Sequence, residues 1–306
     1  MSELVIDVEN LNKSFYGRKV VNNVSLQVEK GDIYGFLGPN GSGKTTTIRM
    51  ICGLLSIDSG QGSCLGMNIL TQGAEIKRKV GYMTQRFSLY GDLTIEENLD
   101  FFARLFDVKD RRDKVQKTIE QLEIGQARKK QLAGNLSGGW KQRLALGAAT
   151  IHDPALLLLD EPTAGVDPKA RRDFWDEIFR LSEEGITTLV STHYMDEAER
   201  CNKLAYIAYG NLLVKGSNKE VVDSADLQTW VVRGKNLSAL VEKLKQEPII
   251  AQVSAFGLDL HVSAQKQNDL SVIINRYSRH YQWQQIRPSL EDVFIHLMQQ
   301  NKDNFS

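Results

Sequence analysis

The segment Gly38-Pro39-Asn40-Gly41-Ser42-Gly43-Lys44-Thr45-Thr46 has the residue types and spacing to hold a chain of phosphates. Its pattern is GxxxxGKT, set between the apolar run Ile33–Leu37 and a helical run that opens at Thr46. Glycines let the backbone wrap closely, so that N–H groups point inward at phosphate oxygens. The helix that begins near Lys44 adds the positive end of its dipole. In such a loop the lysine reaches the β- and γ-phosphates and the following hydroxyl, here Thr45, ligates Mg²⁺.

A second group supplies carboxylates. Ala155–Leu159 is a continuous apolar run, as expected of a parallel strand buried on both faces. It ends in Asp160-Glu161-Pro162. Neighbours on a strand point to opposite sides, so the two acids can do different work. Asp160 is placed to hold Mg²⁺, directly or through water. Glu161 is placed to orient an attacking water and take its proton. Both fall where open α/β sheets bind ligands, at the carboxyl ends of strands.

Between these lies Leu136-Ser137-Gly138-Gly139-Trp140-Lys141-Gln142-Arg143, which runs into the helical stretch Leu144–Ala149. Ser137 is a good N-cap, and the two glycines leave the helix start bare, so this is a second phosphate-binding helix end. Taken alone it reads more readily as an ordinary capped helix start. Leu-Ser-Gly-Gly-x-x-x-Arg between a P-loop and an Asp-Glu strand resembles the signature of ABC-type ATPases. The resemblance covers about residues 1–220 with specific motifs and 221–306 more weakly.

That resemblance implies roles for further residues. Gln85, in Gly81-Tyr-Met-Thr-Gln85, looks like the Q-loop glutamine beside Mg²⁺ and water. His193, after the apolar run Leu189-Val-Ser-Thr, looks like the switch histidine at the γ-phosphate. Asp167, in Ala164-Gly-Val-Asp167, looks like the D-loop acid; the same segment also reads as a turn before a helix at Pro168. Phe15 matches the aromatic that stacks on adenine, with the adjacent Tyr16 as the alternative. The implied substrate and cofactor are ATP and Mg²⁺. ATP would be held by Phe15, by Gly38 through Thr46, by the signature residues Ser137, Gly138 and Gly139, and by Asp167. Thr45, Gln85 and Asp160 would hold the metal. Glu161, His193, Gln85 and Lys44 would carry the chemistry.

The family also implies partners. Each site would join the P-loop of one chain to the signature of a second copy in an ATP-dependent homodimer. The dimer would act on a membrane permease carried by a separate chain, from the cytoplasmic face of the membrane. Its docking groove would lie below Gln85, lined by residues 86–107, with Phe87, Leu89 and Tyr90 either exposed there or packed in the helical subdomain. Pro288-Ser-Leu-Glu-Asp-Val-Phe294 resembles the closing segment of ABC-2-type exporter ATPases. A soluble ATPase with a non-transport role, or an importer subunit, is the alternative. Trp140 departs from the smaller or polar residue common at its position in the family.

The elements that must position these groups are an α/β cassette and a smaller domain. Strand signals at Leu4–Val8, Val24–Val28 and Ile33–Leu37 lead to the P-loop helix. Residues 93–150 read as a helical subdomain, with helices at Ile95–Phe106 and Arg111–Leu122. Residues 151–220 return to strand–helix alternation, which implies right-handed parallel crossovers. A composition shift near Gly216 to Asp226 places the domain boundary at 220. Beyond it the order βαββαβ implies a ferredoxin-like α+β unit, followed by a helix at Leu290–Gln299.

Composition excludes several classes. Among 306 residues, Lys plus Arg and Asp plus Glu balance at 38 each, so direct nucleic-acid binding is not expected. Cys52, Cys64 and Cys201 are too scattered for a disulfide framework or a zinc site, which points to a reducing compartment. The opening Met1-Ser-Glu-Leu lacks the basic and apolar stretches of a leader. No run approaches the roughly 20 apolar residues of a membrane helix.

Overall fold

Two long strands open the chain, β1 (Leu4–Phe15) and β2 (Arg18–Glu29). Only Tyr16 and Gly17 join them, both at positive φ, the geometry of a tight hairpin turn. A two-residue link cannot make a parallel crossover, so the pair is antiparallel. The fold is given by a computed structural model that describes residues 3–125 and 128–300. Met1 and Ser2, on which the leader reading rests, and the last six residues of the expected C-terminal domain lie outside the described residues.

After β3 (Ile33–Leu37) and the P-loop helix α1 (Lys44–Ile51), the chain returns as β4 (Ser59–Cys64) and β5 (Met67–Asn68). These complete a four-stranded sheet in the order β2-β1-β4-β5, antiparallel throughout. The strand signals expected at Leu4–Val8 and Val24–Val28 thus lie in an antiparallel sheet, apart from the parallel one.

Helix α2 (Gly73–Lys79) and strand β6 (Val80–Met83) lead into the helical segment. It contains α3 (Ile95–Leu105), α4 (Arg111–Gln121) and α5 (Gly138–Thr150). A reciprocal capping box between Thr94 and Glu97 starts α3. Leu99, Ile119, Leu144 and Ala148 pack together in the core of this subdomain. Strand β7 (Leu156–Asp160), helix α6 (Pro168–Glu183), strand β8 (Thr187–Thr192), helix α7 (Met195–Ala198) and strands β9 (Lys203–Ala208) and β10 (Asn211–Gly216) follow.

The second sheet has the order β10-β9-β3-β8-β7-β6, with β9, β3, β8, β7 and β6 paired in parallel. Strands β3, β7 and β8 are buried along their whole length, the signature of a sheet covered on both faces. The period of two is visible along β7. Leu156 and Leu158 face the core that includes α1, while Leu157 and Leu159 face Phe174, Trp175 and Ile178 of α6.

The chain divides into two units, Met1–Leu212 and Leu213–Ser306. The second holds α8 (Asn218–Ser224), β11 (Leu227–Gly234), α9 (Leu237–Leu244), β12 (Gln252–Phe256), β13 (Asp259–Gln265), α10 (Ser271–Tyr277), β14 (Tyr281–Ile286) and α11 (Leu290–Gln300). Its sheet runs β12-β13-β11-β14 with antiparallel pairs, the split βαβ arrangement that the element order implied. Its core joins Val232, Leu240, Leu260, Val262 and Ile273.

Truncation after Ser217 keeps β10 in the six-stranded sheet and removes the separate core. The shortened chain is expected to stay soluble and to unfold in one cooperative thermal transition. Aggregation, or loss of the transition, would show that the first unit depends on the second.

Candidate active site

Three strand ends converge, because β8 lies between β3 and β7 in the sheet. The P-loop follows β3, Asp160 and Glu161 close β7, and Ser191, Thr192 and His193 close β8. Ser191 pairs with Asp160 across the ladder, and Thr192 pairs with Leu37.

The loop is built to be close to its surroundings. A Cβ on Gly38 would lie 2.0 Å from the carbonyl oxygen of Ile207, and φ there is +154°. No other residue fits at that point. At the far end Gly43 is the N-cap of α1 in the left-handed region and makes no side-chain cap bond, so the first-turn N–H groups face the loop. The Ser42 hydroxyl is buried and has no hydrogen-bond partner among the described residues. A buried orphan hydroxyl inside an amide-lined loop fits a phosphate oxygen.

Lys44 is buried at 4% exposure, and its ammonium has three oxygen neighbours. It donates to the carbonyls of Gly38 at 2.7 Å and Pro39 at 3.1 Å, and Glu161 Oε1 lies 3.2 Å away. Burial holds the ammonium below its usual pKa, and the Glu161 carboxylate opposes that shift.

Asp160 lies on the α1 side, as the alternation along β7 requires. Its Oδ1 accepts from Thr45 Oγ1 at 2.9 Å and from Ser191 Oγ at 2.7 Å. One hydroxyl and one carboxylate oxygen side by side form a hard, sparse donor set. That suits Mg²⁺, which keeps several waters and shares phosphate oxygens.

Glu161 leaves the strand at φ 47°, a conformation uncommon outside glycine. Its N–H is held by the Ser191 hydroxyl at 3.0 Å and the Ser191 carbonyl at 3.1 Å. The strained turn aims the carboxylate back over the P-loop. Gln85 Nε2 donates to Oε2 at 3.0 Å, and His193 Nδ1 lies 3.3 Å from the same oxygen without hydrogen-bond alignment. Gln85 and Glu161 line one cavity with Asn40 through Thr46. Lys44, Gln85, Glu161 and His193 are thus brought together, and Thr45 meets Asp160. Gln85 bonds to Glu161 rather than to either Thr45 or Asp160.

The remaining sequence-derived residues stand apart from this cluster. Ser137 occupies the N-cap of α5 but makes no cap bond, which corrects the capping role expected of its side chain. Ser137 and Gly138 are exposed. A Cβ on Gly138 would meet open space, whereas one on Gly139 would lie 2.7 Å from Ala170 Cβ. Asp167 caps α6, accepting from the N–H groups of Lys169 and Ala170. Phe15 is partly exposed beneath the Lys13 ammonium, and Tyr16 is fully exposed at the hairpin tip. Trp140 packs on the helical subdomain, with the guanidinium groups of Arg128 and Arg143 at 4.3 Å and 5.2 Å from its ring. Ser191 carried no role in the sequence reading. Its signal was its place two residues before His193, at the end of an apolar strand beside Asp160.

Comparisons with known proteins agree with this geometry. The family model described as ABC transporter matches residues 21–164. The chain is 42% identical over 221 residues to the probable multidrug ABC transporter ATP-binding protein YbhF of Escherichia coli (strain K12), covering 70% of this chain. It spans only 37% of that relative's length. It is 35% identical over 302 residues to the Nod factor export ATP-binding protein I of Rhizobium sp. (strain N33), covering 97% of this chain and 98% of the other. Among solved structures, a nucleotide-free ATP-binding cassette from an ABC transporter superposes with a TM-score of 0.64 at 27% identity, over 72% of this chain and 94% of that one. A dimeric bacterial ABC transporter cassette gives 0.63 at 26% identity, over 69% and 98%.

Two outcomes follow from the geometry. Lys44→Ala is expected to abolish ATP turnover and weaken ATP binding, read by equilibrium dialysis; unchanged turnover would remove Lys44 from the site. Ser191→Ala removes two buried hydrogen bonds and should lower stability by about 1–3 kcal/mol. An unaltered unfolding midpoint would contradict the support assigned to Ser191. Taken with the full-length relative, the converging strand ends place this chain in the ABC transporter family, with that family's ATP-binding and ATP-hydrolysing cassette.

Proposed function

We propose that the chain is the ATPase subunit of an ABC-2-type exporter and works by ATP-driven closure of a homodimer. The observation that carries the reading is the convergence of Lys44, Gln85 and His193 on one carboxylate, Glu161, at the rim of the P-loop. A phosphate chain in the loop competes with Glu161 for the Lys44 ammonium. Glu161 then orients a water and takes its proton, while His193 and Lys44 stabilise the charge moving onto the γ-phosphate. Mg²⁺ held by Thr45 and Asp160 would supply charge neutralisation at the phosphate oxygens.

Export is supported by the resemblance of residues 288–294 and by the full-length relative named for Nod factor export. A second copy would bring Ser137, Gly138 and Gly139 to the γ-phosphate and Asp167 to the shared interface. Among the described residues no helix is long and apolar enough to cross a membrane. The family resemblance supports a pathway formed by a permease on another chain. Peripheral attachment at the cytoplasmic face follows from that assignment. Arg86, Leu89, Phe102 and Phe106 line a groove with Tyr82 and Met83, a surface suited to the permease. Phe87 and Leu89 pack partly on the helical subdomain, and Tyr90 is 48% exposed. Residues 221–306 would form an accessory domain of this subunit.

Glu161→Gln leaves the phosphate contacts in place and removes the base. Turnover is expected to fall about 10²- to 10⁴-fold. With ATP and Mg²⁺ the variant should elute as a dimer in size-exclusion chromatography with light scattering. A monomer under those conditions, with ATP bound, would overturn dimer closure.

A further inference from the structure

Glu197 on α7 is 1% exposed, and no role in the proposed chemistry uses it. Its carboxylate accepts from Thr192 Oγ1 at 2.6 Å and also from Thr163 Oγ1. Both threonines are themselves 1% exposed. The guanidinium of Arg171, on α6, lies 3.7 Å away through Nε and stacks 4.1 Å from the Tyr194 ring. A buried carboxylate is costly unless hydrogen-bonded and paired, and here three separate segments meet that need.

Two of these segments lead to a group in the site. Thr163 lies two residues after Glu161, in the turn closed by Ala164 N–H donating to the Glu161 carbonyl at 3.2 Å. Thr192 directly precedes His193, and its hydroxyl also accepts from Tyr194 N–H at 3.0 Å. The backbone on both sides of His193 is thus fixed to one hydroxyl, and that hydroxyl to Glu197. Arg171 sits one turn into the helix that Asp167 caps.

We infer that Glu197 is a positioning residue that locks the Glu161 turn and the His193 segment into one arrangement. The inference rests on the reading of Glu161 and His193 as hydrolytic groups. Replacing the carboxylate by an amide puts an N–H against one of two donor hydroxyls. That hydroxyl must then turn its proton elsewhere and accept from the amide, and both charge-assisted bonds to the carboxylate are lost, so the segments they hold loosen. The effect falls on the chemical step, because nothing in the phosphate loop touches Glu197 among the described contacts.

The test is made on the full chain with ATP and Mg²⁺. Glu197→Gln is expected to lower kcat about 10- to 100-fold, as misplacement of catalytic groups does. KM and the ATP affinity from equilibrium dialysis should stay within about 3-fold of the parent, well short of that loss. Thr192→Val, nearly the same shape without the hydroxyl, should give the same split. Where Glu197→Gln failed to fold, Thr192→Val would decide alone. A double-mutant cycle with His193→Ala separates positioning from general support. Once the imidazole is gone, adding Glu197→Gln should cost much less than it does in the parent. Fully multiplicative losses, or a kcat within about 2-fold of the parent for both variants, would overturn the inference. If His193→Ala alone left kcat unchanged, the hydrolytic reading of His193 would fail instead.

Discussion

A lysine ammonium buried to 4% exposure is the constraint on which the site depends. Desolvation disfavours such a charge, and leaving it unpaired would cost several kcal/mol. Two loop carbonyls and Glu161 satisfy it here. The carbonyls require the P-loop to fold tightly against Ile207, which only a glycine at position 38 allows. Glu161 must in turn cross from the end of β7, past β8, to reach an ammonium that follows β3. The left-handed turn at Glu161 makes that crossing, and Ser191 holds it. Strand order, a strained backbone and a buried hydroxyl thus all serve one ion pair.

The same ion pair links structure to chemistry. Lys44 and the phosphates attract each other for the reason that Lys44 and Glu161 do. Binding of nucleotide would therefore weaken the hold on Glu161, the carboxylate proposed as the base. Glu161 has one oxygen beside Lys44 and the other beside Gln85 and His193, so each neighbour affects when it is available.

The central sheet was legible in the sequence because parallel strands buried on both faces read as unbroken apolar runs. Ile33–Leu37 and Leu156–Leu159 are such runs, and the motifs at their ends place Lys44, Asp160 and Glu161. The antiparallel sheet was not legible. Ser59–Cys64 reads as a loop, since it contains two glycines and two serines. It is a strand because Gly62 lets it lie against β1, where a Cβ would come within 2.2 Å of the Asp7 carbonyl oxygen. Helix α2 was missed for lack of apolar period; only Ile76 is buried. The supporting residues Ser191, Thr192 and Glu197 were hidden for another reason. Ser191 and Glu197 act on partners 30 and 34 positions away, and Thr192 through a buried carboxylate 5 positions on, contacts that a pattern of apolar residues does not reveal. That a Cβ at Gly139 would run into Ala170 was equally invisible in the motif.

The central claim is that this ion-paired P-loop site is completed by the signature of a second copy. Mixed dimers test it most directly. One variant carries Lys44→Ala, with a sound signature. The other carries Gly138→Asp, where a side chain meets open space in its own chain and sets a carboxylate against the partner's phosphates. Each variant alone should be nearly inactive. The two variants, tagged differently and purified as a mixed dimer, contain one site made of two sound halves. The account predicts that ATP hydrolysis returns in that mixed dimer. A mixed dimer that forms and binds ATP but stays as inactive as its parents would contradict it.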